Sequence, residues 1–299
     1  MMKKLLVFLF IPILFVTGCK TKQAEDNKPV VTVTILPLQY FAEQLAGDHF
    51  RVNVMVPPGV SHHNYDPNPR QLQELEKSKA LFINGHLGFE QAWVPRMKSN
   101  YPGLPVIDLS AGINLITSEG SEGEHAHEAK PGEHSHEGVD PHYWMSLTEA
   151  LKIADNMASG LIKADPSCRR MVEANLRKLN TRIDSLAATM STRFSGLTHR
   201  SFLIFHPALA YFARDYQMIQ HSMENGGKEP TASHFKELVD IAATEKINTI
   251  FIQKEYDQEN AQALSREIGA VIIVIDPMSP DWFAEMEQLA TKISEMDRR

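Results

Sequence analysis

Thirteen of the 299 residues are histidines, and three of them, with one aspartate, stand where an α/β fold could gather them around a metal ion. His63 lies in the loop after the apolar run RVNVMV (51–56), His142 in DPHYW, His206 directly after SFLIF (201–205), and Asp276 directly after VIIVI (271–275). Three of these four follow an expected strand. In open parallel sheets, ligands bind in the crevice beyond the carboxyl ends of the strands, so side chains placed there can converge from distant parts of a chain. Neutral imidazoles and a carboxylate suit a tetrahedral Zn2+ site, whereas Mg2+ and Ca2+ prefer shells of oxygen. A lone histidine after a strand is ordinarily a hydrogen-bonded structural residue, and an Asp-Pro pair is ordinarily a turn. It is the joint placement that points to a metal. His62, beside His63, and His86, in INGHLGFE, are reserve candidates.

A looser signal lies in SEGSEGEHAHEAKPGEHSHEG, within residues 118–138. His125, His127, His134 and His136 form two His-x-His pairs interleaved with Glu and Gly. Such a stretch cannot build a core, but it can offer imidazoles and carboxylates to a divalent ion. A flexible loop loses chain entropy when it wraps an ion, so weak, auxiliary sites are expected.

These residues need elements to position them. From residue 30 short β-branched runs alternate with helical patterns: VVTVTIL (30–36), a helix over 38–46, RVNVMV, a polar helix near 69–78, ALFIN (80–84), a helix containing Trp93, and PVIDL (105–109). This is βα alternation and implies a mostly parallel sheet. Apolar residues at Val172, Leu176, Leu179, Ile183, Leu186, Met190, Phe194 and Leu197 step by threes and fours, which predicts one long amphipathic helix over 165–196. Asp165 suits its N-cap, Pro166 its first position and Gly196 its stop. About 30 residues at 1.5 Å each give a rod of about 45 Å that would restrict hinge bending. The alternation then resumes through SFLIF, QMIQ, NTIFIQ and VIIVID to a last helix. The expected architecture is two α/β lobes joined by a rigid helix, with the metal site in the cleft between them. The expected division is a lobe over 30–146, a helical connection over 147–197 and a lobe over 198–299.

The first residues are an address. Lys3 and Lys4 precede an apolar run, Leu5 to Val16, that is too short to span a bilayer and reads as an export signal over 1–18. Val16-Thr17-Gly18-Cys19 resembles the bacterial lipobox, which implies acylation at Cys19, a tether over 19–29 and anchoring to a membrane in the cell envelope. With Cys19 acylated, Cys168 has no partner, so the core rather than a disulfide must supply stability. A composition of 43% hydrophobic and 22% charged residues is that of a globular protein. The net charge of −7, without basic runs, leaves no footprint for nucleic acid.

At these residues the chain resembles the zinc- and manganese-type solute-binding proteins of ABC importers, lipoprotein members included, from residue 30 to the end. VPPGVSHHNYDPNP resembles the family's V-P-P-G-x-x-P-H-x-Y-E-P-x-P loop, which implies a ligand at His63 and puts His62 at the usual proline. DPHYWMS resembles D-P-H-x-W and implies His142; FHPALAYFARDYQM implies His206; VIDPM resembles the late D-P-L and implies Asp276. The family's two lobes and linking helix coincide with the spacing. Histidine at the third ligand position and a His-rich loop before the second motif resemble the zinc branch. The departures are His62, Gln253 in FIQKEY where the family often has Glu, and a short His loop.

The resemblance implies a monomeric carrier that captures Zn2+ and delivers it to a membrane permease, with no chemistry on a substrate. A manganese or iron carrier of the same family is the alternative. An envelope zinc hydrolase would need an open coordination position and a placed base, and the sequence has no H-E-x-x-H. An adhesin lipoprotein leaves no sequence mark to argue from.

Overall fold

The runs read as strands form two four-stranded sheets, each wholly parallel and each with the same strand order. In the first, β1 (Val30–Val33), β2 (Arg51–Val54), β3 (Ser78–Ile83) and β4 (Val106–Asp108) lie in the order β2-β1-β3-β4. In the second, β5 (Ser201–Ile204), β6 (Ile219–Ser222), β7 (Thr249–Gln253) and β8 (Val271–Ile275) lie in the order β6-β5-β7-β8. The computed structural model describes residues 28–117, 138–224, 228, 230–256 and 258–298.

Parallel strands need crossovers, and helices supply them. In the first lobe these are α1 (Leu36–Ala46), α2 (Pro69–Glu76) and α3 (Gly88–Asn100); in the second, α6 (Ala210–Asp215), α7 (Ala232–Glu245) and α8 (Glu259–Ile268). Side-chain caps fix several starts. Asn68 and Gln71 form a reciprocal capping box on α2, Thr231 caps α7, and Asp281 caps α9 (Trp282–Ser294). Period-2 alternation divides the second sheet between two cores. Phe202, Ile204 and Phe251 face one, whereas Leu203, Ile250 and Ile252 face α7 and α8 on the other side.

The connection between the lobes is α4 (Leu147–Ala164) followed by α5 (Arg169–Phe194). The long helix is shorter than its spacing predicts. Asp165 accepts from Ser167 N, but the turn it caps, Pro166–Cys168, is a 3-10 turn, and α5 begins only at Arg169. At its other end the helix stops at Phe194 with Ser195 as cap, before Gly196. Its 26 residues make a rod of about 39 Å. Val172, Leu179, Ile183, Leu186, Met190 and Phe194 bury one face of it in a core shared by both lobes.

Both lobes are tied to this rod. Asn175 donates to the Leu45 carbonyl in α1 (3.0 Å), and Arg193 donates to Thr291 in α9 (3.3 Å). The Arg182 guanidinium lies 4.2 Å over the Phe283 ring. Direct ties between the lobes add to this. Trp282 packs on Phe41 with ring centroids 4.8 Å apart, the Trp282 indole donates to the Trp144 carbonyl (2.7 Å), and the Trp144 indole donates to the Pro277 carbonyl (2.8 Å). The Tyr211 hydroxyl donates to the Asp140 carbonyl (2.7 Å), and Arg214 of the second lobe pairs with Glu149 of the connecting α4 (2.8 Å). Cys168 is a buried free thiol, and among the described residues no helix is long and apolar enough to cross a membrane.

One glycine marks how closely α4 sits on the first sheet. A Cβ on Gly160 would lie 2.3 Å from Phe82 Cε1 and 3.1 Å from Ile107 Cγ2, and the Phe82 ring is fully buried. Gly160→Ala is expected to destabilise the protein by about 1–3 kcal/mol through overpacking, read as a lower urea midpoint at unchanged slope. An unchanged midpoint would contradict this packing.

Candidate metal centre

Four histidines meet between the lobes. One ring nitrogen from each of His62, His63, His142 and His206 falls in a group whose members all lie within 4.8 Å of one another. The closest approaches are between Nε2 atoms: His63 to His206 at 3.0 Å, His62 to His142 at 3.2 Å, and His206 to His142 at 3.2 Å. His62, His142 and His206 are buried, and His63 is half-buried.

His62, His63 and His206 reach this point from the segments beyond β2 and β5, and His142 from the turn that leads into α4. After β2 the chain stays paired through Met55 N to the Val33 carbonyl and Val56 N to the Thr34 carbonyl, then turns at Gly59 (φ 75°). His63 N donates to Ser61 Oγ (3.3 Å). The start of α3 closes against this loop, because a Cβ on Gly88 would sit 2.6 Å from the His63 carbonyl oxygen. Residues 62–64 bend, so the His62 and His63 rings lie side by side with centroids 4.1 Å apart. His142 opens the turn Tyr143–Met145, and Asp140 Oδ1 accepts from both its backbone N (2.8 Å) and its Nδ1 (2.7 Å).

His206 follows β5. Its Nδ1 donates to Glu224 Oε2 (2.5 Å), and Glu224 is itself placed by a bond from its N to the Phe205 carbonyl (3.0 Å). Gln253, at the end of β7, pairs with the His206 backbone in both directions: its Nε2 donates to the His206 carbonyl (2.6 Å), and its Oε1 accepts from His206 N (3.3 Å). A carboxylate at 253 could accept but could not donate, so the amide suits this contact. Tyr256 stacks on the His206 ring at 5.6 Å.

Burial sets the charge state of two of these rings. It holds His62 well below the usual imidazole range, and its neighbours His63, His142 and His206 push in the same direction. His142 is also lowered, mainly by burial, with Asp140 acting against that shift. Neutral imidazoles with Nδ1 held by a carboxylate present Nε2 as a metal ligand.

The other residues marked in the sequence fall elsewhere. Asp276 is outside the group: its Oδ2 pairs with Lys254, its backbone N donates to Glu285 Oε1 (3.0 Å), and its Oδ1 is buried without a hydrogen-bond partner. His86 donates its backbone N to Asn84 Oδ1 (3.1 Å) and is also outside the group. Cys19, His125, His127, His134 and His136 lie outside the described residues. Glu224 carries no motif and is 18 positions from the histidine it supports, whereas Asp140 is legible in the D-P-H triplet.

Comparison with known proteins agrees with this architecture. The chain is 28% identical over 275 residues to the high-affinity zinc uptake system protein ZnuA of Bacillus subtilis, spanning 89% of this chain and 85% of that one. It is 27% identical over 268 residues to the zinc-binding lipoprotein AdcA of Streptococcus pneumoniae, spanning 89% of this chain but 53% of that longer protein. A crystal structure of ZnuA superposes with a TM-score of 0.81 at 33% identity, covering 91% of this chain and all of the other. Residues 31–296 match the family described as ZnuA, zinc-uptake complex component A, periplasmic, and the chain belongs to that family.

Proposed function

We propose that this protein captures Zn2+ in the cell envelope and delivers it to the membrane permease of an ABC-type importer. The observation that carries the reading is the convergence of imidazoles from both lobes: His63 and His142 from the first, His206 from the second. These three are ligands of the cargo ion. Imidazole nitrogen suits Zn2+ better than Mn2+, which favours more oxygen, and first-row affinity order runs the same way. Membership of a zinc-uptake family and similarity to proteins named for zinc uptake and zinc binding support the choice of cargo.

Asp140 and Glu224 orient His142 and His206 and balance the charge of a divalent ion, which a carrier requires in a half-dry cleft. The protein performs no reaction on its cargo and works as a monomer. Acylation at Cys19 holds it at a membrane, a reading that similarity to the lipoprotein AdcA supports. The His-rich segment between residues 118 and 138 is a weak auxiliary binder of divalent ions.

Competitive titration with Zn2+ and Mn2+ separates cleft from loop in a soluble form starting at residue 20. One tight zinc equivalent is expected, lost when His63, His142 and His206 are all replaced by Ala and kept when residues 119–137 are deleted. Tight zinc binding that survives the triple replacement would overturn the reading. Metal binding needs neutral imidazoles, so zinc affinity should fall as the pH drops from about 7.5 toward 5, and burial of His142, which lowers its pKa, moves its share of that loss toward the acid end. An affinity that stays flat down to about pH 5 would contradict imidazole ligation.

A further inference from the structure

We infer that His62 is the fourth ligand of the cargo ion, so that the shell is four imidazoles, with Asp276 held out of it by Lys254. This rests on the zinc reading above and names the ligand that completes it. The first argument is geometric. A tetrahedral ion with bonds of about 2.0–2.1 Å to nitrogen sets its ligand nitrogens about 3.3–3.4 Å apart. The Nε2 separations of 3.2 Å (His62 to His142), 3.2 Å (His206 to His142) and 3.0 Å (His63 to His206) already approach that edge length. The other nitrogen pairs of the group lie within 4.8 Å, so an ion would draw the more distant rings together while the three close pairs open slightly.

The second argument is the placement of protons. Asp140 and Glu224 take the Nδ1 protons of His142 and His206, so in neutral rings both Nε2 atoms point a lone pair at the shared centre. Two lone pairs facing each other at 3.2 Å repel, and a cation between them relieves this. The His62 ring stands against His142 at the same distance and is buried among the other three, with a ring nitrogen in reach of the shared centre.

The third argument concerns charge. Four neutral imidazoles leave the ion at +2, and the two carboxylates behind His142 and His206 match that charge across the rings. Asp276 is not needed for the balance and is already paired: Lys254 neutralises its Oδ2, and only Oδ1 remains for another partner. A nitrogen-only shell also discriminates against Mn2+, Mg2+ and Ca2+, which an aspartate ligand would favour.

The test compares His62→Ala, His62→Gln and Asp276→Asn with wild type by zinc titration against a chelator, together with zinc X-ray absorption on the wild-type protein. Four imidazole scatterers are expected in wild type. Both His62 variants should lose more than the roughly 10–100-fold that removal of an outer hydrogen-bond partner costs, and Asp276→Asn should stay near wild type. A shell of three imidazoles and one oxygen, with wild-type affinity in the His62 variants and a large loss in Asp276→Asn, would overturn the inference and leave the zinc reading intact. Wild-type protein that takes up no tight zinc would overturn both. The absorption spectrum needs no variant, so a His62 substitution that unfolds the loop does not shield the claim.

Discussion

Imidazoles carried by two separate lobes can share one ion only if the lobes are fixed to within a fraction of an ångström. The three closest Nε2 separations, 3.0–3.2 Å for His63–His206, His62–His142 and His206–His142, set that tolerance, and most of the structure is arranged to hold it. Burial disfavours the charged form of His62 and His142, so the centre is poised for a cation other than a proton. Asp140 and Glu224 then decide which nitrogen of His142 and of His206 faces inward. Remove that orientation and the same four rings would be an awkward polar cluster in a cleft.

Fixing the lobes is the work of α5 and of the two indoles beneath the cluster. The helix contributes to one core that takes in residues of both sheets, including Val31 and Phe82 on one side and Phe202 and Phe251 on the other. Trp282 reaches from the second lobe to Phe41 and to the Trp144 carbonyl, two residues beyond His142. Such a frame opposes a wide hinge. The bend at 62–64, which packs against Gly88, is held from the α3 side as well.

Much of this was legible in the sequence, for physical reasons. Parallel strands are buried on both faces and write themselves as β-branched runs, and residues just beyond their ends must line the crevice. His63 and His206 could be marked on that ground, as could Asp276, which lies outside the group, whereas His142 was legible from its D-P-H-Y-W segment. His62 could only be held in reserve, because neighbouring side chains on an extended backbone point to opposite faces, and nothing local announced the bend that turns both rings inward. Glu224 lies 18 positions from His206, a pairing created by β5 lying against β6 and invisible to spacing. The start of α5 was misplaced because Asp165-Pro166 opens a 3-10 turn with the same residues that open an α-helix.

The most direct test of a single cargo ion held between the lobes is anomalous diffraction from zinc-loaded crystals on either side of the zinc absorption edge. One peak is expected, about 2.0–2.1 Å from inward-facing histidine nitrogens of both lobes. A peak outside the histidine cluster, or none between the lobes at saturating zinc, would contradict the account.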